Sequence, residues 1–277
     1  MITSSHNPKV QQIRALLGRQ KERHEANAFV AEGVRLVEEA LAVNWPFRFV
    51  LAGETLSERG QELVKKLEGK SIEVEEVVNG LLQSLSKTET SQGLIAVLEL
   101  PASRTSLSTL HSLLPTLNFI LIADQIRDPG NLGALLRTAA AAGVQAVLIP
   151  PETSDPFAPK VVRSGMGAHF RLPILAMDWN EIKRIIESAN LKVFLADMSG
   201  RSCWECNLRI PLALIIGGEA EGASQPARKL AEVIVSIPMP GQSESLNAAA
   251  AGAILMFEVV RQRGGESAFR RVSDSTI

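Results

Sequence analysis

Apolar positions along this chain follow two periods, one near 3.6 residues and one of 2, and the switches between them mark out elements. Val10, Ile13, Leu16 and Leu17 share one side of a helix that Pro8 can open. Residues 28–31 read as a short strand, and Gly33 opens a helix over 34–41. A strand at 47–51, a helix at 61–67, a strand at 72–74, a helix at 77–85 and a strand at 94–98 follow. The order predicts a small α/β domain over residues 1–98. The pattern then dissolves into Ser, Thr and Pro over 99–116, which predicts a linker with a short helix near 107–114.

A second domain is expected over 117–264. It begins with FILIAD (119–124), a near-continuous apolar run of the kind buried on both faces of a parallel sheet. A turn at Asp128, Pro129 and Gly130 leads into an alanine-rich helix that ends by 142, with Gly143 as its cap. Further strands are predicted at 144–149, 191–196, 212–216 and 233–237, with helices at 157–166, 226–231 and 246–261. This alternation has the spacing of crossover units and predicts a mostly parallel sheet. Residues 265–277 read as a flexible polar tail.

Composition narrows the function classes. The 277 residues suit two domains, and 45% hydrophobic with 21% charged residues suits a folded chain. Lys and Arg number 29 against 30 Asp and Glu, unlike a small basic nucleic-acid-binding domain. Local patches can still steer RNA. Residues 1–30 carry Lys9, Arg14, Arg19, Lys21 and Arg23 against Glu22 and Glu25, either a solvated helix face or a phosphate contact. Aromatic content is 4% with no tyrosine, which argues against a broad base-stacking platform. No secretory pattern opens the sequence, and the richest apolar helix, 248–260, is too short to span a bilayer and contains Glu258. A cytoplasmic location without membrane partners is expected. Cys203 and Cys206 form a C-x-x-C that supplies only half of a usual zinc site. They are expected to be structural, and no metal is expected.

Ligands of such sheets bind beyond the carboxyl ends of the strands. Three loops in those places are rich in glycine or asparagine: DQIRDPGNLGALLRTAAAAG (124–143), IIGGEAEGAS (215–224) and IPMPGQSESLNAAAAGAILMFE (237–258). None is a dinucleotide or phosphate-loop fingerprint, which demotes nicotinamide dehydrogenases and P-loop ATPases.

In order and spacing, DPGNLGALLRTAAAAG, GGEAEGAS and IPMPGQSESLNAAAA resemble motifs 1, 2 and 3 of the SpoU/TrmH family. These are RNA ribose 2′-O-methyltransferases of the SPOUT superfamily. SSHNPKVQQIRAL, KERHEANAFVAEGVRLVEEAL and TETSQGLIAV resemble the substrate-binding domain of its rRNA-directed branch. The resemblance covers nearly the whole chain. It implies an α/β catalytic domain folded as a trefoil knot, beside a small L30e-like α/β domain that grips RNA. It also implies bound S-adenosylmethionine (AdoMet), a homodimer whose subunits both contribute at the active site, and large-subunit rRNA rather than DNA as substrate. A tRNA ribose methyltransferase, a thiostrepton-resistance-like rRNA enzyme and a non-catalytic RNA-binding assembly protein are the alternatives.

Carried over residue by residue, the resemblance makes Arg137 the first candidate. Guanidinium groups stay protonated at neutral pH, so its expected role is to stabilise the developing alkoxide and hold a phosphate. In related enzymes the arginine has also been assigned to activate the hydroxyl. Asn131 is either the cap of its helix or a partner of Arg137, or both. Glu219 is the motif 2 acid, and Ser245 and Asn247 are the motif 3 polar pair. Arg163, in KVVRSGMGAHFRLP, is a candidate for a phosphate or for the catalytic cluster. Ala196, Gly217, Gly218, Ile237, Met239, Leu246 and Asn247 are expected around the cofactor. His169 is expected to be structural, and Asp178 and Asp197 lack an evident catalytic partner. The sequence departs from the family at Ala220, Ala248 and Ala249, small changes that leave the main polar set intact.

Overall fold

The structure is a computed structural model that describes residues 1–86, 92–101, 112, 114–218, 222–241 and 245–264. In chain order its first elements are α1 (Pro8–Gly18), α2 (Gln20–Glu25), β1 (Ala28–Glu32), α3 (Val34–Ala42), β2 (Phe47–Gly53), α4 (Glu58–Gly69), β3 (Val74–Val77), α5 (Asn79–Leu85) and β4 (Leu94–Glu99). Then come β5 (Phe119–Ala123), α6 (Pro129–Ala141), β6 (Ala146–Ile149), α7 (Pro159–Gly165), β7 (Ile174–Ala176), α8 (Trp179–Ser188), β8 (Lys192–Ser202), β9 (Leu212–Ile216), α9 (Gln225–Leu230), β10 (Val233–Ser236) and α10 (Ala248–Arg263). The chain divides into two compact units, Met1–Ala102 with Asp155–Phe170, and Ser103–Ser154 with Arg171–Ile277.

The first unit is a mixed sheet in the order β1-β4-β2-β3. β4 is antiparallel to both of its neighbours, and β2 and β3 are parallel. Successive residues of β1 enter opposite cores, Phe29 and Ala31 on one face, Ala28 and Val30 on the other. α3 covers the first face with Val34, Val37 and Ala40, and α1 covers the second with Val10, Ile13 and Leu16. The third strand falls later than the apolar pattern suggests. Pairing of Val50 with Val74 and Gly53 with Val77 sets its register, and the helix expected from Val77 starts at Asn79. Segment 155–170 belongs to this unit through Phe157 and Phe170, which meet the Phe29 ring at 5.0 and 6.4 Å between centroids. Arg23 reinforces the attachment. Its Nε donates to Asp155 Oδ2 at 2.8 Å and its Nη1 to the Leu16 carbonyl at 2.7 Å, with both charged side chains under a tenth exposed.

The second unit holds six strands, all parallel, in the order β10-β8-β9-β5-β6-β7. Every residue of β5 is buried, and Ile120 and Ile122 pack with Leu148, Leu195 and Ile215 in the core. The chain leaves β5 for β6 and β7, crosses to β8, then returns to insert β9 between β8 and β5. That reversal brings the ends of β8, β9 and β10 together. α6 is capped by Asp128, whose Oδ1 accepts the Asn131 N–H at 2.9 Å, with Pro129 at its first position. Asn131 therefore lies in the first turn and is not the cap. α10 starts at Ala248, two residues later than expected, because Asn247 supplies its cap. β8 runs on to Ser202, carried by a second stretch of pairing to β10 beyond a register shift at Ile234 and Val235. Most of the expected linker and all of the tail 265–277 lie outside the described residues.

Candidate active site

The middle of β8, the ends of β9 and β10 and the start of α10 enclose a cavity of about 530 Å³, well within the size range of small-molecule sites. Ala196 from β8, Gly217 and Gly218 after β9, and Ile237 and Met239 after β10 all line it. Ser245, Leu246 and Asn247, at the entry to α10, complete the wall. A Cβ on Gly217 would lie 2.7 Å from the Ala223 nitrogen, and one on Gly218 would strike the Gln125 carbonyl oxygen. Only residues without a side chain let this loop fold so tightly on itself and on the end of β5.

Asn247 ties two loops together. Its Oδ1 accepts the N–H groups of Ala249 at 2.9 Å and Ala250 at 3.2 Å, and its Nδ2 donates to Asn131 Oδ1 at 3.0 Å. One amide thus caps α10 and fixes the first turn of α6. α6 and α10 lie side by side, with Gly252 against Leu135. Arg137 lies further along α6, roughly 9 Å up the axis from Asn131 at 1.5 Å per residue. It is exposed and makes no hydrogen bond or ion pair among the described residues. Glu219 lies outside the described residues. Arg163 is on α7 in the first unit, its Nη1 3.9 Å from Glu32 Oε2.

Asp197, for which the sequence offers no evident catalytic partner, lines the cavity from the middle of β8. The Ser199 N–H and hydroxyl bond its Oδ1 at 3.0 and 2.8 Å, and Arg228 Nη2 reaches Oδ2 at 3.0 Å. These bonds, those of Ser199 first, hold the carboxyl below its ordinary pKa. The available signal was position, since the residue follows an apolar run on the ligand-binding edge. Asp178 has a local duty: it caps α8 in a reciprocal box with Glu181. His169 is buried with its Nε2 2.7 Å from the Pro156 carbonyl, and burial lowers its pKa to about 4. Cys203 and Cys206 are both buried, and burial pushes both thiols up. Among the described residues no group of three His, Cys, Asp or Glu side chains is placed to hold a metal.

The basic N-terminal segment is less free than its charge count suggests. Lys9 pairs with Glu73 at 2.6 Å and with Glu75, and Arg23 is buried against Asp155. Arg14, Arg19 and Lys21 remain exposed.

A parallel sheet with a glycine- and asparagine-edged cavity at its carboxyl edge defines a cofactor-binding α/β protein. Residues 118–257 match the model of the SpoU rRNA Methylase family, and residues 7–96 match the MRM3-like substrate binding domain. The chain belongs to the SpoU rRNA methylase family. It is 32% identical over 270 residues to the 23S rRNA (uridine(2479)-2′-O)-methyltransferase of Streptomyces viridochromogenes, covering 94% of this chain and 92% of that one. It is also 32% identical over 259 residues to the 23S rRNA (guanosine(2553)-2′-O)-methyltransferase RlmP of Bacillus subtilis, covering 93% and 98%. Among solved structures, the S. viridochromogenes SpoU methyltransferase AviRb in complex with the cofactor AdoMet superposes with a TM-score of 0.82 at 30% identity, covering 93% of this chain and 99% of that one.

Proposed function

We propose that this protein is an AdoMet-dependent ribose 2′-O-methyltransferase acting on large-subunit rRNA. The observation that carries the proposal is one cavity at which the middle of β8 and the loops after β9 and β10 meet, joined to α6 through Asn247 and Asn131. The residues present fit the cofactor. Ile237, Met239 and Leu246 offer apolar walls for adenine, while Gly217, Gly218, Asp197 and Asn247 offer polar edges for the rest. Bound there, AdoMet supplies an electrophilic methyl group on a positively charged sulfur.

This chain's own residues then have three tasks. The apolar walls exclude water from the reacting centre. Asn131 and Asn247 hold the site's geometry and, with Ser245, orient the ribose hydroxyl; alignment supplies much of the rate. Arg137 stabilises the charge that develops on the ribose oxygen as its proton leaves, and holds a neighbouring phosphate. Glu219 is assigned to orient the hydroxyl or pair with an arginine, and Arg163 to a substrate phosphate.

The substrate follows from the relatives, which are named for 23S rRNA, and from the substrate-binding domain at residues 7–96. Residues 1–98 are assigned to gripping RNA, with exposed Arg14 and Arg19 available to phosphates and Lys21 paired to Glu25 at 3.6 Å, and residues 117–264 to catalysis. A trefoil knot in the second unit is proposed on the chain's membership of the SpoU rRNA methylase family. A homodimer is supported by α10, which exposes Ile254 (42%) and Phe257 (47%) one turn apart. On the neighbouring helix Arg137 has no partner in its own chain among the described residues, as expected of a group that completes a site with a second subunit. A cytoplasmic place of action is part of the proposal.

The test is transfer of labelled methyl from AdoMet to total rRNA and tRNA prepared from cells lacking the gene, with nucleoside mass spectrometry of the product. A 2′-O-methylnucleoside in large-subunit rRNA is expected. AdoMet binding without transfer to either RNA would refute free rRNA as substrate, and failure to bind AdoMet would refute the enzyme.

A further inference from the structure

The second unit contains another cavity, of about 480 Å³, at the ends of β5 and β6, lined by Asp124, Gln125, Glu152, Trp179 and Arg228 among others. One group in it is uncompensated among the described residues. Asp124 is 0% exposed; its Oδ2 accepts the Ser224 N–H at 2.7 Å, but its Oδ1 has no hydrogen-bond partner among the described residues. Buried polar atoms are rarely left so, and each one asks for an explanation. Gln125 (φ +54°) and Glu152 (φ +68°) hold left-handed backbone without being glycine, and Gln125 Nε2 donates to Glu152 Oε2 at 2.9 Å. Strain of this kind collects at ligand-binding sites.

The cavity adjoins the cofactor site. Gly217, Gly218 and Gly222 face the first cavity, whereas Ala223 and Ser224, the next residues of the same loop, face the second. Arg228 lines the second cavity while its Nη2 holds Asp197 of the first, and its Nε donates to the Ala223 carbonyl at 3.2 Å. Trp179, half-buried against the core, brings an indole to the wall. A ligand that satisfies these groups is flat, to lie against Trp179, and carries N–H donors for Asp124.

We propose that this cavity receives one unstacked base of the RNA substrate, its N–H edge on Asp124 and its face against Trp179. Guanine fits best, because its N1–H and N2–H donors are adjacent and can serve one carboxylate. Sequence-specific RNA recognition works in this way, by aromatic stacking and Watson–Crick-edge hydrogen bonds on splayed bases. The proposal rests on the methyltransferase reading and specifies which nucleotide that site selects.

The test uses the full chain and four single-stranded RNA hexamers that differ only in one central base, read by fluorescence anisotropy. Wild type is expected to bind the guanine hexamer most tightly. Trp179→Ala should weaken that complex about tenfold, the scale of one lost base–aromatic stack. Asp124→Asn, which presents a donor where the carboxylate accepts, should abolish the preference for guanine. If that buried substitution does not melt cooperatively, Trp179→Ala alone decides. Equal binding of all four hexamers by wild type, or an unchanged guanine complex in Trp179→Ala, overturns the proposal. Methyl transfer and AdoMet calorimetry on wild type are scored separately. A base preference without AdoMet binding or transfer would sink the enzyme and spare this cavity, and transfer without a base preference would do the reverse.

Discussion

Asn247 does two things with one side chain, and substitution can separate them. Its Oδ1 takes two backbone N–H groups of α10, and its Nδ2 holds Asn131. Asn247→Ala removes both. Loss of such a cap costs about 1 kcal/mol, which in a protein of this size lowers the melting temperature by roughly 2–4 °C. Asn247→Asp keeps an oxygen for the cap and adds negative charge at a helix N-terminus, a gain of about 0.3–1 kcal/mol. It replaces the donor to Asn131 with a second acceptor, so the link between α6 and α10 is lost. Misplacing a reacting group by about 1 Å can cost on the order of 10²-fold, and both variants should lose turnover on that scale. The assay pairs calorimetric melting with single-turnover methyl transfer. The alanine variant should be less stable and slow, the aspartate variant as stable as wild type and equally slow. An aspartate variant with wild-type turnover, or an alanine variant that melts with wild type, would show that one amide does not serve both ends.

Arg137→Ala should lower kcat by about 10²–10³-fold, the scale of one lost charge-stabilising donor; because the side chain is exposed, melting should be unchanged, and near-normal turnover would remove it from the site. Replacing Ile254 and Phe257 together with lysine should convert a dimer to a monomer by light scattering and abolish methyl transfer; a dimer that persists at low micromolar concentration would place the interface elsewhere. Asp155→Ala leaves Arg23 buried and unpaired, which should destabilise the protein by about 3–5 kcal/mol in urea, and a shift below about 1 kcal/mol would mean that the guanidinium finds other partners. The pKa of His169 falls from 6.5 to about 4 on folding, so the folded state binds fewer protons; its share of stability, about 3 kcal/mol, is complete above pH 6.5 and lost as pH falls toward 4. Urea unfolding of wild type and His169→Phe from pH 7 to 4.5 should converge at low pH, and parallel profiles would show that another group carries the acid loss.

How much of this could be read beforehand depended on whether the cause was local. β5 was legible because a strand buried on both faces writes itself as FILIA. The turn after β9 was legible because glycine at 217 and 218 answers a steric demand of the backbone around it. β7 has only three residues, too few for a period to emerge. α8 was written in the sequence as a capping box, Asp178 with Glu181, ahead of Ile182, Ile185 and Ile186, and was simply passed over. Other features depend on partners far away in the chain. The long β8 exists because β10 pairs with it twice. Charge counting made residues 1–30 a basic arm, whereas Glu73, Glu75 and Asp155 neutralise Lys9 and Arg23. Nothing local tells segment 155–170 that it packs with a strand more than a hundred residues earlier.

The placement of the asparagines follows from the charge the reaction creates. A ribose oxygen becomes negative as it loses its proton, and the N-terminus of a helix carries partial positive charge on N–H groups that lack partners within the helix. Asp128 and Asn247 cap α6 and α10, and the Asn247–Asn131 bond draws those two starts together at the edge of the cofactor cavity. Under the proposed mechanism the start of α10, with Asn247 and Ala248 on the cavity wall, lies beside the reacting centre before substrate arrives. Such fixed dipoles cost no reorganisation when the reaction occurs, whereas water would have to reorient. The proposed mechanism relies on Asn131, Asn247, Ser245 and Arg137 rather than on one strong base. It asks instead for rigid geometry, supplied here by glycines packed against backbone, a cap shared between helices, and strands buried on both faces.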